Sequence, residues 1–201
     1  MTGEHSTEKL RLFIAIPIPE PVRDEIIRVQ REMQPLAPQS AARWTRPDQF
    51  HLTLRFLGDV PVAGLEKLKE SVNAVCRSAR PLQLRAEGAG FFPSPHSPRV
   101  VWVGIDDQAG LLVDLQKRIE TAVRPFTAEP GEKNFSGHAT LGRLKNLKPP
   151  DARKLAALAQ TAKDRTFGEW TADEIEIIRS ELSPLGARHT SLAAFRLGAN
   201  D

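Results

Sequence analysis

The sequence predicts an α+β fold, with sheets each covered by helices. Three observations carry that prediction. Short apolar, β-branched runs and amphipathic stretches of helical spacing follow one another in the order strand–helix–strand–helix–strand–strand–helix–strand–helix–strand–strand. Sixteen Pro and thirteen Gly in 201 residues punctuate them at turns. No low-complexity tract or long linker divides the chain, so two lobes, if present, share one chain-crossed body.

Residues 1–9 read as a polar tail, leaving 10–201 as the folded body. Residues 10–16 (Leu-Arg-Leu-Phe-Ile-Ala-Ile) form a buried strand stopped by Pro17 and Pro19. Pro21 suits the first turn of a helix, along which Val22, Ile26, Val29 and Met33 fall at helical spacing. Arg43-Trp44-Thr45 is a short strand candidate and Pro47-Asp48 a turn. Residues 51–57 are a strand stopped by Gly58-Asp59. Leu65, Leu68, Val72, Val75, Cys76 and Ala79 mark the apolar face of a second helix, which makes Cys76 a packed thiol. Residues 82–86 and 100–105 are strands, with a Gly- and Pro-rich loop expected over 88–98. Leu111, Leu112, Leu115, Ile119, Ala122 and Val123 make a third helix, and a strand lies within 135–144. Asp151 is placed to cap a fourth helix. Residues 174–182 and 190–197 close the chain as a hairpin around Ser183-Pro184-Leu185-Gly186.

Composition narrows the class. An apolar fraction of 40% and a charged fraction of 26% belong to a folded domain, not a disordered tail or a collagen-like chain. The longest apolar run, residues 12–18, contains Pro17 and is too short to cross a bilayer, so no membrane role is expected. The net charge is +3, with nineteen Arg against nine Lys. That balance fits a phosphate-bearing partner without demanding one. One cysteine excludes an intramolecular disulfide and a cysteine-built zinc site. The N-terminus lacks a basic region ahead of an apolar one, so the cytoplasm is the expected compartment.

One internal repeat stands out. His51-Leu52-Thr53-Leu54 recurs as His138-Ala139-Thr140-Leu141, each at the start of an expected strand. Strand side chains alternate faces, so His51 and Thr53 project together while Leu52, Leu54 and Phe56 point to the core. His138 and Thr140 share a face in the same way, opposite Ala139 and Leu141. Two imidazoles that titrate near neutrality can serve as general base and general acid, and threonine hydroxyls can donate to anionic oxygens beside them. Those are the parts phosphoryl chemistry needs. No Asp, Glu or Cys within either motif completes a metal set, so no metal or other cofactor is expected. Ser136 is a weak candidate nucleophile, and satisfied structural histidines are the alternative to a site.

These motifs resemble the 2H phosphoesterase superfamily. With Arg11-Leu12-Phe13-Ile14-Ala15-Ile16, Trp44, Pro47, Val101-Trp102-Val103-Gly104, Gly142-Arg143 and Ser180-Glu181-Leu182-Ser183-Pro184-Leu185-Gly186-Ala187, the chain is similar, from about residue 10 to 197, to the RNA 2′,3′-cyclic phosphodiesterases, also called 2′-5′ RNA ligases. The resemblance implies a bilobal fold with approximate two-fold symmetry and a cleft between the lobes. It implies metal-independent hydrolysis of an RNA-terminal 2′,3′-cyclic phosphate to a 2′-phosphomonoester, with His51 as general acid and His138 as general base. Thr53 and Thr140 would hold the non-bridging oxygens. Reversal of the reaction would join RNA ends by a 2′-5′ bond.

Arg143 is carried over as a substrate-phosphate residue, although strand alternation turns it away from His138 and Thr140 unless Gly142 bulges the strand. Arg55 shares the parity of His51 and Thr53 and either lines the same cleft or is an exposed strand charge. Phe13 either stacks on a terminal base or packs in the strand core. His189 stands where the family has an aromatic residue, and either lines the cleft or lies on the hairpin surface. His96 falls in a loop on the substrate side, and His5 in the inert tail. The expected partner is an RNA 3′ end bearing a cyclic phosphate, such as a tRNA fragment, met by a monomeric enzyme. The alternatives are a cyclic phosphodiesterase of small nucleotides, such as an ADP-ribose cyclic phosphate or a 2′-5′ oligonucleotide, and a non-catalytic RNA-end binder.

Overall fold

The computed structural model describes residues 8–132, 134–183 and 186–198. His5, most of the expected tail, and the Pro184-Leu185 turn lie outside the described residues. Strand β1 (Lys9–Pro17) already begins at Lys9. Then come α1 (Glu20–Met33), β2 (Ala42–Trp44), β3 (His51–Pro61), α2 (Leu65–Arg77), β4 (Leu82–Phe92), β5 (Val100–Asp106) and α3 (Leu111–Val123). The chain closes with β6 (His138–Leu144), α4 (Pro149–Thr161), β7 (Thr166–Ala172), β8 (Glu174–Ser183) and β9 (Gly186–Arg196). Among the described residues no helix is long and apolar enough to cross a membrane.

The strands form two sheets, ordered β3-β1-β8-β9 and β2-β6-β5-β4-β7, and all pairings are antiparallel. Four strands of one sheet match four of the other: β3 corresponds to β6, β1 to β5, β8 to β4 and β9 to β7. Each motif strand lies beside the strand that runs into a helix, β1 into α1 and β5 into α3. Those helices then cross between sheets. Helix α1 packs on β7 and α4 on β4, both in the five-stranded sheet, whereas α3 packs on β3 and α2 on β9 in the four-stranded one. Helices α1 and α3 thus each leave one sheet and cover the other, while α2 and α4 return to the sheet they left, and one continuous core runs from Leu12 and Ile14 through Leu52, Leu54, Val101, Ala139 and Leu141. Strand β2 has no counterpart and breaks the symmetry.

Three expectations are corrected. Residues 88–92 are strand, not loop, and β4 bulges between Glu87 and Ala89. Gly88 takes φ +69° there. Gly90 lies under the Trp102 ring, where a Cβ would stand 2.4 Å from Trp102 Cζ2. Gly90 is thus there so that a cross-strand indole can lie across the sheet, and Gly88 for the bulge. Helix α4 starts at Pro149 with Lys148 as its N-cap, so Asp151 sits in the first turn and forms no cap. Strand β7, an edge strand without a clean apolar run, was not anticipated.

The buried Asp107 carboxylate fixes the start of α3, accepting from the backbone N–H of Leu111 at 2.7 Å and of Leu112 at 3.1 Å. Cys76 is fully buried, and desolvation pushes its thiol up to about 12, which leaves it a packing residue. The packing at Gly90 gives a direct test. Gly90→Ala forces the indole to shift, and denaturant unfolding is expected to show a loss of about 1–3 kcal/mol; an unchanged midpoint would contradict the tight Trp102 contact.

Candidate active site

Both motifs open their strands as expected, and the motif strands β3 and β6 are neighbours across the two sheets. Leu52, Leu54, Ala139 and Leu141 are buried, while His51, Thr53, His138 and Thr140 are partly exposed. Neither threonine hydroxyl has a protein partner among the described residues. Each imidazole is tied to the carbonyl two residues before it. His138 Nδ1 donates to the Ser136 carbonyl at 2.7 Å, and His51 is hydrogen-bonded to the backbone of Gln49. Because a carbonyl only accepts, Nδ1 of His138 carries the proton and Nε2 keeps its lone pair for other chemistry. Ser136 thus contributes its carbonyl to the placement of His138. The amide of Gln49 also donates to the Ala187 carbonyl, fixing the segment before His51 against β9.

Aromatic rings hold both histidines. Phe13 stacks on His51 at 4.7 Å between centroids, and His189 meets both edge-on, at 5.0 Å from Phe13 and 5.4 Å from His51. Phe13 is 4% exposed, in a small cluster with Ala15, Ile178 and Phe56. With the two imidazoles against its ring, Phe13 is a floor beneath His51 rather than a platform for a base. In the other lobe Phe92 meets His138 edge-on at 5.0 Å and leans on Trp102 at 5.1 Å.

The two imidazoles of the first lobe do not behave as free histidines. Burial, His189 and, to a smaller extent, His138 push His51 down to about 4, against the opposing effect of the Gln49 carbonyl. His189 is also lowered by burial, with Asp48 pulling the other way. The contact between β3 and β6 brings the two motifs next to each other.

Each motif ends in a bulge, which the sequence raised only at Gly142. In β3 the register shifts between Thr53 and Arg55, and in β6 between Thr140 and Gly142, so Leu54 and Leu141 are the extra residues. A bulge reverses side-chain parity beyond it. Arg55 is thereby turned away from His51 and Thr53 and is buried against α3: Nε lies 2.8 Å from Glu120, and the guanidinium donates to the carbonyls of Pro130 at 2.8 Å and Glu129 at 2.6 Å. Its expected place in the cleft is therefore corrected. Arg55 and Glu120 instead line a separate cavity of about 460 Å³, which none of the histidines borders. Phe56, expected in the core, turns to the Phe13 side for the same reason. Arg143 moves the opposite way. It pairs with Val100 while Thr140 pairs with Trp102, two residues along β5, so the bulge brings Arg143 onto the His138 and Thr140 face.

Each bulge is bolted by a buried glutamine. Gln30 of α1 donates through Nε2 to the Leu141 carbonyl at 2.8 Å and the Thr45 carbonyl at 2.7 Å. Gln116 of α3 reaches the Leu54 carbonyl at 3.4 Å. Both are under 4% exposed. The signal was available: each sits four residues after a core residue, Ile26 and Leu112, on an otherwise apolar helical face. His96 is exposed in the loop between β4 and β5.

A family model described as LigT like Phosphoesterase matches residues 16–102 and again 103–188, once for each motif. A protein named RNA 2′,3′-cyclic phosphodiesterase from Methanothermobacter thermautotrophicus is 32% identical over 94% of this chain and 100% of its own length. One of the same name from Thermus thermophilus is 31% identical over 94% of this chain and 90% of its own. The crystal structure of TT0787 of Thermus thermophilus superposes with a TM-score of 0.78 at 29% identity, covering 96% of this chain and all of that one. E. coli LigT complexed with 3′-AMP shares the fold, with a TM-score of 0.74 at 23% identity over 94% of this chain and 99% of its own.

Two outcomes are expected. Gln30→Leu strips donors from two carbonyls and should cost about 1–3 kcal/mol in denaturant unfolding; a neutral result would show that the bulge needs no bolt. For His51 the folded-state value lies below the ordinary 6.5, so between the two values the unfolded chain binds the extra proton. Its contribution to stability is complete above about pH 6.5 and fades as the pH falls towards 4. Melting curves across that range should show a steeper acid loss for wild type than for His51→Gln; parallel curves would refute the burial of a neutral imidazole.

Proposed function

Because the chain belongs to the LigT-like phosphoesterase family, we propose that it hydrolyses the 2′,3′-cyclic phosphate at an RNA 3′ end to a 2′-phosphomonoester, with His138 as general base and His51 as general acid. The observation that carries this reading is the paired motif: two imidazoles on adjacent strands of two sheets, each tied to the carbonyl two residues before it, each followed two residues on by a threonine hydroxyl without a partner among the described residues.

In this reading His138 Nε2 takes a proton from water as the water oxygen attacks phosphorus. The P–O3′ bond breaks, and His51 gives its proton to the departing 3′ oxygen. Thr53 and Thr140 donate to the non-bridging oxygens, where charge accumulates. Each proton transfer is worth roughly 10²–10⁴ in rate. A general acid must carry a proton, and the protein's own groups leave His51 neutral at about pH 7. The phosphate supplies the correction: its negative charge beside His51 opposes burial and favours the imidazolium, so the acid becomes charged when its substrate is in place. His189, edge-on to His51, belongs to the same site, and Arg143 stands on the same face of β6 as His138 and Thr140. The reading extends to a monomer with one body over residues 10–201, needing no metal or cofactor, acting in the cytoplasm on RNA ends such as tRNA fragments, with 2′-5′ ligation as the reverse reaction.

The test is turnover of an oligonucleotide ending in a 2′,3′-cyclic phosphate, with EDTA present. Wild type should yield the 2′-phosphate. His51→Ala and His138→Ala should each lose at least about a hundredfold in kcat while melting cooperatively. A 3′-phosphate product would overturn the assignment of acid and base, and near-normal turnover by either variant would remove that histidine from the mechanism. Turnover confined to small cyclic nucleotides would move the substrate away from RNA.

A further inference from the structure

We propose that Arg43 and Arg143 form a clamp for the phosphodiester one nucleotide upstream of the cyclic end, so that the site recognises an RNA strand rather than a lone nucleotide. The inference rests on the cyclic-phosphate reading for its direction along the strand, but the clamp itself rests on geometry. Arg43 of β2 lies directly opposite Arg143 of β6, and Val100 lies opposite Arg143 on the other side. Residues directly opposite in an antiparallel pair share a face, so both guanidiniums stand on the face that carries Thr140 and His138. Both are exposed. Trp44 and Gly142, the next pair, lie on the core side, where the indole covers Gly142.

Like charges directly opposite each other destabilise a sheet. Here nothing offsets them: among the described residues neither guanidinium has an ion-pair or hydrogen-bond partner. Arg46, three residues on, is by contrast held by Asp48 at 2.6 Å. Two unneutralised forks side by side suit a phosphate, whose oxygens accept from both. The spacing agrees. The Arg143 and Thr140 levels are separated by two residues of β5, about 7 Å, the scale on which one backbone phosphate follows another.

Strand β2, which supplies Arg43, is also the strand without a counterpart in the other sheet. A symmetric pair of histidines can act on the phosphate, but a strand that leaves the site in one direction needs an asymmetric feature. Strand β2 provides it, paired with β6 at Gly142–Leu144, beyond Thr140. The Gln30 bond to the bulge carbonyl keeps Arg143 in this position.

The test is binding of an oligonucleotide that ends in a 2′-phosphate, followed by fluorescence anisotropy, beside competition by the corresponding 2′-phosphate mononucleotide. Arg43→Ala should weaken the oligonucleotide about tenfold or more and weaken the mononucleotide far less, so that the preference between them collapses. The slope of log Kd against log salt should fall by about one, and Arg43→Lys should recover part of the affinity as a point charge. Unchanged oligonucleotide binding in Arg43→Ala, or an equal loss for both ligands, would overturn the clamp. Failure of wild type to open a cyclic phosphate would refute the catalytic reading, while the binding comparison would still decide the clamp.

Discussion

Each motif strand must satisfy two demands that a regular strand cannot meet together. Leu52, Leu54, Ala139 and Leu141 have to fill the core, and the chain just beyond must change which face it presents. A bulge meets both, at the cost of a carbonyl displaced from the ladder inside the apolar core. The buried amides of Gln30 and Gln116 satisfy those carbonyls from helices that crossed over from the opposite sheet. This bond between a helix and the fourth residue of the motif recurs in both lobes. It settles where Arg55 and Arg143 point, and it is why the swapped helices belong to the site as much as to the core.

The electrostatics follow from the packing. His51 lies on Phe13 beside His189, and in that dry, crowded setting the neutral form wins. An anion entering the site changes the balance, because its charge opposes the same desolvation. His138 is held differently, by a carbonyl on Nδ1 and by the edge of Phe92. Near-symmetric backbones thus place the two imidazoles in unlike surroundings, as the proposed acid and base require. The asymmetry arises in the neighbouring rings, not in the motifs.

Much of the site was legible in the sequence. The repeated His-x-Thr-Leu named its four polar residues, and period-two alternation named the apolar residues that anchor them. Four helices, most strands and the buried thiol of Cys76 followed from spacing and from Pro and Gly. The misreadings share one cause. Residues 88–92 looked like loop because their glycines were read as turn residues, whereas the Trp102 ring lying over Gly90 is a cross-strand contact. Arg55 looked like a cleft residue because alternation was carried through a bulge. Phe13, read either as a stacking platform or as a packed strand residue, is packed, because the imidazoles of β3 and β9 cover it.

The sequence by itself determined which chemistry is present: two imidazoles, two hydroxyls, the parity within each motif and the apolar residues that bury the strands. Those are local properties, set by side-chain identity and a period of two. Only the tertiary structure decided which arginine shares the face of His138 and Thr140, how far burial lowers His51, and which strand breaks the symmetry. Each of those depends on a register shift or a desolvated contact between segments far apart in the chain, and neither registers nor burial are encoded in local spacing.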